Sequence, residues 1–579
     1  MFSPNSFLST RSNLILAIFV TTVCFVVTYL FLGFYFVEIE GVHVSFFSGQ
    51  LTPNFPFRAV YFSGHFGVSH IYSYLYEHFP DVEWMSWIEC SYLLCANAIG
   101  LYLVAFLLGN SVKLRTKIAV LTVVYFLVFA DHNMNLIYTR LAYMVCGVSL
   151  LGLLVLFHSE GSVRTRWGLF VFFNLFFTIG TLTRAEASIA CFLLIAVFGV
   201  FYIQEVKKCL FLFLYPALLL GTISIYMAID IKNADNSEFY KQVEPDIEEQ
   251  FTARGNKVPL SEMKTHRDSV MWITAAEMIW PDPKNISAPY LRSLIMPEKF
   301  MFTDSRQWQR VYESVTEIVL LHWQLALAAL LLSILVVWQY GFQGTVWQRL
   351  FCFGFVFSFW VLTLLQAYTD KVNDRSFVPY LSLFVFCHIL LLARDSKVHS
   401  LLKSYYFLSV TAVLFCFHLS FLLNESKGLK ADLAKFQRNL EKLKQIAGNR
   451  YLVLNSSSFD YLFLSNVPFH PINYSAFKRI YITEGYIVPF LPYYKRYLES
   501  ECKCDIYAFP SFWNYLKTIS NNVVIVSSPS RIMVLKDYMA EIHQYDLPIM
   551  EEKAVSTLEQ PKSDDVTFSD ELKVYVFSK

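Results

Sequence analysis

Long apolar stretches recur along this chain of 579 residues, and they constrain its fold more than any other feature. The stretches 14–36, 167–182, 209–228 and 318–338 contain no Asp, Glu, Lys or Arg. Each comes close to the roughly 20 apolar residues that a helix needs to cross a membrane. Charged residues make up only 16% of the chain, against about 25% in soluble domains. The sequence therefore predicts an α-helical polytopic membrane protein.

About eleven transmembrane helices are predicted from these stretches. The predicted spans are 13–36, 86–109, 117–131, 136–157, 167–182, 186–204, 209–229, 316–338, 349–367, 376–393 and 402–423. The apolar stretch 167–203 is too long for one span, and polar residues interrupt it between Gly180 and Glu186. This interruption predicts a tight helical hairpin.

Basic residues in the short connections predict the orientation, because cytoplasmic loops are enriched in Lys and Arg. With the N-terminus in the cytoplasm, the cytoplasmic connections hold Arg11, Lys113, Arg115, Lys117, Arg164, Arg166, Lys207, Lys208, Arg349, Arg394, Lys397 and Lys403. Apart from one long loop, the opposite connections hold only Arg58, Arg184, Lys371 and Arg375. This orientation places the two long loops, 37–85 and 230–317, on the outer side, together with the residues after 423.

Residues 424–579 have the pattern of a small external soluble α/β domain, which follows the transmembrane domain 1–423. A charged helix, 428–447, comes first, and short β-like runs then alternate with helical ones. The predicted strands are 451–454, 480–483, 505–508, 523–526 and 574–577, and the predicted helices lie near 493–499, 511–519 and 531–543. Such alternation predicts a largely parallel sheet. The chain contains no glycine-rich phosphate-binding motif, so nucleotide binding has no support.

Ionisable residues gather near the predicted outer surface, where they would be costly without a role. They are Glu38 and Glu40 after the first span, Arg58 and His65 in the following loop, Asp131 and Arg140 around the turn before the fourth span, and Arg184, Glu186, Asp374 and Arg375 at later helix ends. Ordinary explanations exist for several: Asp131 could cap a helix, and Arg184 and Arg375 could reach lipid headgroups. Arg140 lies inside its predicted span, which favours a functional role.

Three short stretches and the overall layout resemble a known family. Thr183-Arg184-Ala185-Glu186 is similar to an R-P-E-like turn, with Ala in place of Pro. Residues 374–379 are similar to the R-Y-x-x-P start of a late helix, and 61–84 to the amphipathic first loop of bacterial envelope proteins. With the long first outer loop, the acidic turn at Asp131 and the external C-terminal domain, they resemble the polytopic GT-C-type glycosyltransferases of bacterial envelopes. Those enzymes use polyprenyl-phosphate-linked sugars.

The resemblance implies a membrane glycosyltransferase that moves a sugar from a polyprenyl-phosphate donor to an envelope glycan, lipid or protein on the outer side of the bacterial inner membrane. It implies catalytic roles for Glu38, Glu40 and Asp131, with Glu38 or Glu40 as the general base. The implied substrate-binding residues are Arg58, His65, Arg140, Arg184, Glu186 and Arg375. A pair of acidic residues is expected after the first span, and here Glu-x-Glu replaces it.

The implied partners are the polyprenyl-phosphate-sugar lipid and membrane lipids, and a divalent cation stays open as a cofactor. A net charge of +1 gives no support for a nucleic-acid partner. Two other functions remain open from the sequence. One is an envelope polysaccharide polymerase or a transporter (flippase), and a transporter would place ionisable residues near the middle of the membrane. A non-enzymatic membrane scaffold would use its external domain to recruit a partner.

Overall fold

A computed structural model describes the chain at residues 6–36, 68–109, 112–156, 163–199, 214–223, 225, 264–276, 285, 305–342, 346–369, 373–394, 405–454, 467–470, 477, 479–482, 492–505, 509–552 and 572–578. These residues form a bundle of apolar helices and a five-stranded sheet that is flanked by helices.

The bundle begins with a helix that ends in a π-helical turn, Thr28–Leu32. The elements of the first part are α1 (Ser6–Val27), β1 (Tyr35–Phe36), α2 (Val68–His78), α3 (Trp84–Leu108), α4 (Leu114–Val124), α5 (Ala130–Met134), β2 (Asn135–Leu136), α6 (Tyr138–Leu156), α7 (Val163–Thr183) and α8 (Ala185–Gly199). Strands β1 and β2 pair in parallel, with Tyr35 opposite Asn135 and Phe36 opposite Leu136. This pairing brings the chain after α1 against the segment between α5 and α6.

The second part of the bundle includes one helix that continues beyond it. Its elements are α9 (Leu214–Ile223), α10 (His266–Ala276), α11 (Ser305–Leu321), α12 (Trp323–Val336), α13 (Val346–Thr369), α14 (Asp374–Arg394) and α15 (Tyr405–Ala447).

The apolar helices of the described residues identify a polytopic membrane protein. Within the described ranges, five helices are long and apolar enough to cross a membrane: Arg11–Leu32, Trp84–Leu108, Tyr138–Val155, Arg164–Thr183 and Asp374–Arg394. A bent pair, α11 and α12, would make a sixth. Helix α1 and the π-helical turn after it leave Ile15, Phe19 and Leu30 exposed, which lipid favours and water does not. The predicted count of about eleven stays a prediction, because several predicted spans lie partly outside the described residues.

Helices α6 and α14 form the centre of the bundle and are buried along most of their length. Helix α6 packs against α3, α7, α8 and α14. Close approach depends on glycine, since a Cβ atom at Gly147 would overlap Leu383, and one at Gly152 would overlap Phe173. Small residues have this role at many helix contacts in membranes.

The predicted uninterrupted span 316–338 is wrong, because the chain breaks at His322. There α11 and α12 meet at 93°. His322 has φ −109° and ψ 35°, outside the helical region, and its carbonyl accepts hydrogen bonds from the N–H groups of Leu325 and Ala326. A new helix therefore starts directly after His322.

A break between the predicted span 402–423 and the predicted helix 428–447 is also absent, because α15 runs through both without interruption. Gly428 lies inside the helix, where one glycine costs only about 0.5–1 kcal/mol relative to alanine. The predicted boundary between residues 423 and 424 thus falls within one rigid element.

The C-terminal residues form a mixed sheet in the order β4-β3-β5-β7-β6. Its elements are β3 (Tyr451–Leu454), β4 (Arg479–Ile482), α16 (Pro492–Cys502), α17 (Phe509–Thr518), β5 (Val523–Ser527), α18 (Pro529–His543), β6 (Ile549–Glu551) and β7 (Lys573–Phe577). Strands β4, β3 and β5 are parallel, whereas β7 pairs antiparallel with β5 and β6. The sheet is therefore less parallel than predicted. The predicted strand 505–508 lies almost entirely outside the described residues. The external location of the C-terminal domain stays a prediction.

Candidate functional site

One end of the helix bundle gathers the C-terminal ends of α1 and α4 and the N-terminal ends of α6, α12 and α14. Here lies a group of polar side chains that contact one another, which we call the ionisable cluster: Asp131, Asn135, Arg140, His322, Asp374 and Glu425. It combines side chains from α5, β2, α6, the break before α12, α14 and α15. The fold brings these segments together although they are far apart in the sequence.

Arg140 is the central cation of the ionisable cluster, and its side chain is only 4% exposed. Its Nη1 atom donates a hydrogen bond to Asp131 Oδ2 at 2.9 Å, and its Nη2 atom donates to Asp374 Oδ2. Removing a guanidinium group from water costs several kcal/mol unless opposite charges replace the lost hydration. The two carboxylates supply that compensation, so Arg140 fixes both of them in place.

Asp374 links the cluster to the helix break. Its Oδ1 atom contacts His322 Nε2, and the side chain of Asp374 is 36% exposed, against 8% for Asp131. Asp374 is therefore the more accessible of these two carboxylates. The 93° bend at His322 is what directs the imidazole toward this carboxylate, since a straight helix would continue past it.

Asn135 connects the other two carboxylates. Its Nδ2 atom donates to Asp131 Oδ1 at 2.8 Å and to Glu425 Oε1 at 2.7 Å. The register of β1 and β2 holds Asn135 in this position. Glu425 lies on α15 beyond the predicted span 402–423. Burial, and secondarily the Asp131 carboxylate, raises the pKa of Glu425 to about 8.

A chain of hydrogen bonds behind the cluster holds α5 against its neighbours. Asn97 Nδ2 donates to Asn133 Oδ1, and Asn133 Nδ2 donates to the Tyr125 hydroxyl, both at 2.9 Å. The Tyr125 hydroxyl also lies 3.3 Å from Thr28 Oγ1 on the π-helical turn after α1. This chain positions Asp131, two residues before Asn133.

One buried histidine next to the cluster, His132, has no hydrogen-bond partner for either ring nitrogen among the described residues. His132 follows Asp131 directly. A second histidine, His418, lies seven residues, about two helical turns, before Glu425. Unpaired buried polar groups are uncommon in folded proteins. The unpaired imidazole of His132 distinguishes this end of the bundle from an ordinary helix interface.

The predicted arginine–glutamate turn lies beside the N-terminal end of α6. Arg184 donates a hydrogen bond from Nη1 to the Tyr138 hydroxyl at 2.5 Å, and its guanidinium group lies over the Tyr138 ring, 5.3 Å from the centroid. Glu186 Oε2 is 3.5 Å from Arg184 Nε. Because Tyr138 precedes Arg140 by two residues, Arg184 is at the same end of α6 as the cluster. Arg375 follows Asp374 on α14 and is half-buried.

Among the predicted site residues, the structure thus pairs Asp131 with Arg140 inside the cluster and Arg184 with Glu186 beside it. The predicted residues Glu38, Glu40, Arg58 and His65 lie outside the described residues.

Sequence reasoning noted Asp374 without assigning it a role, and it missed Asn135, His322 and Glu425. A signal existed for two of these. His322 is the only ionisable residue in the stretch 318–338, and Glu425 is the first carboxylate after a long apolar run.

An apolar cavity of about 860 Å³ lies against the C-terminal end of α1. Its lining residues are Phe25, Val26, Tyr29, Phe34, Tyr76, Pro80, Asp81, Val82, Glu83, Trp87 and Phe469. The buried Glu83 carboxylate accepts hydrogen bonds from the Tyr76 hydroxyl and, at 2.7 Å, from Ser86 Oγ. Burial raises the pKa of Glu83 above its usual range, although these hydrogen bonds oppose the shift.

Among the residues that the structure describes, no group of three or more His, Cys, Asp or Glu side chains could hold a metal ion. The divalent cation that the resemblance leaves open has no candidate ligand set in this part of the chain.

Comparisons with known proteins give one structural similarity. The chain is similar to ArnT from Cupriavidus metallidurans, whose crystal structure contains undecaprenyl phosphate. The TM-score is 0.39, the sequence identity is 12%, and the alignment covers 97% of each chain. No family model matches this chain, and no curated protein matches it. A similarity of this degree does not assign a function to the chain.

Proposed function

We propose that this protein is a membrane glycosyltransferase that moves a sugar from a polyprenyl-phosphate donor to an envelope glycan, lipid or protein on the outer side of the membrane. The ionisable cluster is the observation that carries the proposal. It places three carboxylates, an arginine and a histidine at one end of a membrane-spanning bundle. Ionisable groups at such positions are costly and are typical of functional sites.

The chemistry of the cluster fits glycosyl transfer to a hydroxyl or amine group. Such a reaction needs a carboxylate that takes a proton from the acceptor, and cations that stabilise the negative charge on the departing phosphate. A polyprenyl-phosphate donor carries its phosphate at the membrane surface and its chain in the lipid. A site at the end of the bundle can reach that phosphate while the chain stays in the membrane.

The cations divide into two groups. Arg140 is already paired with two carboxylates, so it organises Asp131 and Asp374. We assign the donor phosphate to Arg184 and Arg375, which lie near the start of α6 and on α14, because guanidinium groups bind phosphate oxygens in a bidentate manner. Glu38, Glu40, Arg58 and His65 remain predicted members of this site.

An ionisable group in the middle of the membrane would support the transporter alternative, and His388 is such a group. It is fully buried on α14, where Nε2 lies 3.1 Å from Ser333 Oγ and Nδ1 lies 2.8 Å from the Phe384 carbonyl. Both ring nitrogens therefore have partners, which is the arrangement of a packed core histidine. A scaffold would have no use for the ionisable cluster. Both alternatives are therefore weaker than the transferase.

The test is sugar transfer by the purified protein in lipid vesicles, with a panel of polyprenyl-phosphate sugars as donors. Asp131→Asn removes the charge that pairs with Arg140 and disturbs the proton-accepting site. We expect transfer to fall by about 10²–10⁴-fold, the typical contribution of acid–base catalysis.

The matched control is Asp432→Asn. Asp432 lies on α15 and pairs with Lys435 at 2.9 Å, with 30% of its side chain exposed. This variant should keep wild-type transfer. Retained transfer in Asp131→Asn would contradict the site, and no transfer by the wild-type protein from any donor would contradict the function.

A further inference from the structure

The three carboxylates of the ionisable cluster differ in how many of their oxygens have a partner. Asp131 uses both oxygens, since Oδ1 accepts from Asn135 and Oδ2 from Arg140. Asp374 also uses both, with His322 at Oδ1 and Arg140 at Oδ2. Hydrogen bonds and a positive charge of this kind stabilise the ionised form of a carboxylate. Asp131 and Asp374 are therefore weak proton acceptors.

Glu425 is the exception. Its Oε1 atom accepts the hydrogen bond from Asn135, but its Oε2 atom is buried and has no partner among the described residues. A buried carboxylate oxygen without a donor is costly when it is ionised, and this cost is relieved when the oxygen takes up a proton. Oε2 is thus the free proton-accepting position of the cluster.

The surrounding charges make Glu425 more basic. It faces Asp131 from α5 and Asp374 from α14, two negative groups that disfavour a third negative charge. Arg140 on α6 opposes this effect, and Asn135 contributes a neutral donor. His418 from α15 and His322 lie near the same carboxylates. Burial is the larger cause, and the pKa of about 8 lies near the pH at which general bases operate.

We infer that Glu425 is the general base of the transfer reaction, with Oε2 as the atom that receives the proton. This inference rests on the proposed function. In the step, the acceptor oxygen or nitrogen forms a bond to the anomeric carbon of the sugar. The bond between that carbon and the phosphate oxygen breaks, and the phosphate keeps the electron pair. The proton of the acceptor group passes to Glu425, and polyprenyl phosphate leaves.

The test is the pH dependence of transfer for the wild type, Glu425→Gln and Glu425→Asp. A base must be deprotonated to act, so wild-type transfer should rise with pH and level off above about 8. Glu425→Gln has no proton acceptor at this position, and we expect a loss of about 10²–10⁴-fold together with loss of the pH-dependent rise. Glu425→Asp keeps a carboxylate and should keep the rise at a lower rate.

The control variant is Glu441→Gln on the same helix. Glu441 pairs with Lys444 at 2.7 Å and is 66% exposed, so its removal should change neither the rate nor the pH profile. Glu38→Gln and Glu40→Gln complete the set, because the sequence predicts the base there. The inference is overturned if Glu425→Gln keeps the wild-type rise with pH, or if Glu38→Gln or Glu40→Gln abolishes it instead.

A second measurement separates this inference from the proposed function. Infrared difference spectra between pH values well below and well above 8 should show a protonated carboxyl band in the wild type that is missing in Glu425→Gln. Absence of that band in the wild type means that Glu425 is ionised throughout, and the base assignment is wrong. A clear band in a protein that transfers no sugar would instead show that the proposed function is the part that fails.

Discussion

Two carboxylate sites among the described residues lie near the C-terminal end of α1, and they are constructed differently. Thr28, in the π-helical turn after α1, contacts Tyr125, which belongs to the hydrogen-bond chain behind the ionisable cluster. Phe25 and Tyr29 line the apolar cavity that contains Glu83. Both sites remove carboxylates from water, which is costly in either case.

The difference lies in the origin of the partners. The hydrogen bonds of Glu83 come from Tyr76 and Ser86, which lie seven and three residues away in the sequence. In the ionisable cluster, the hydrogen bond between Asn135 and Glu425 spans 290 residues.

The local site has a partner for each oxygen of Glu83, whereas the cluster leaves Glu425 Oε2 and the nearby His132 ring without partners among the described residues. A locally satisfied carboxylate serves to hold a turn in place. A cluster that joins distant segments and leaves buried polar atoms unpaired destabilises the fold. Such an arrangement is typical of a site that serves chemistry rather than stability.

The largest effect that tests this comparison is expected from Arg140→Met. Methionine has a similar length but leaves Asp131 and Asp374 buried without their cation. Removing one partner of a buried ion pair typically costs about 3–5 kcal/mol. We expect a large drop in the thermal unfolding temperature in detergent and complete loss of transfer.

Arg450→Met is the control for this substitution, since Arg450 pairs with Glu552 at 3.3 Å and is partly exposed. An exposed pair of this kind contributes about 0–1 kcal/mol. If both variants lost the same small amount of stability, the cluster would be no more than a surface ion-pair network, and the contrast between the two sites would disappear.

An intermediate effect is expected from Phe469→Ala at the cavity. Phe469 comes from the C-terminal part of the chain, and its ring packs edge-on against Trp87 at 5.1 Å and Tyr29 at 6.4 Å. Each aromatic pair contributes about 0.5–1.5 kcal/mol. We expect a modest loss of stability, measured by thermal unfolding, because the backbone N–H of Phe469 keeps its hydrogen bond to Ser86 Oγ.

Phe469→Gly provides the matched comparison. Phe469 has φ +67°, a conformation that costs non-glycine residues roughly 1–2 kcal/mol. Both variants lose the ring, but glycine also relieves this strain, so Phe469→Gly should be at least as stable as Phe469→Ala. A markedly less stable glycine variant would mean that residue 469 does not adopt this positive φ.

The sequence predicted much of the fold because its signals are local. Apolar stretches mark membrane helices wherever they occur, and Arg140 was recognised as a functional candidate from its position inside such a stretch. The interruption of the helix at His322 was not predictable in the same way. No Pro or Gly marks it, and the contact of His322 with Asp374 that accompanies it is a tertiary contact.

Glu425 was missed for a related reason. A carboxylate directly after an apolar run is typical of any helix end at a membrane surface, so its sequence environment carries no signal of function. Its role depends on Asn135, which reaches it from a two-residue strand, and on Asp131. The candidate base is therefore visible only when α5, β2 and α15 are placed side by side.

The smallest effect is expected from Glu83→Gln, which tests the local site directly. The amide oxygen can still accept a hydrogen bond from Tyr76, and its NH₂ group can donate to Ser86 Oγ, so we expect a stability change below about 1 kcal/mol near neutral pH. Because transfer depends on the other site, its rate should stay at the wild-type level.

The pH dependence of stability gives this last prediction a sign. Burial raises the pKa of Glu83 above its usual value of 4.5, so the folded protein binds this proton more tightly than the unfolded chain does. The wild type should therefore lose stability as the pH rises from 4.5 through the raised pKa, and Glu83→Gln should lack this part of the decline. Thermal unfolding of both proteins across that range measures the difference. If Glu83→Gln lost transfer while remaining folded, Glu83 would belong to the catalytic site. Hydrogen-bond partners that are close in sequence would then no longer distinguish a structural carboxylate from a functional one.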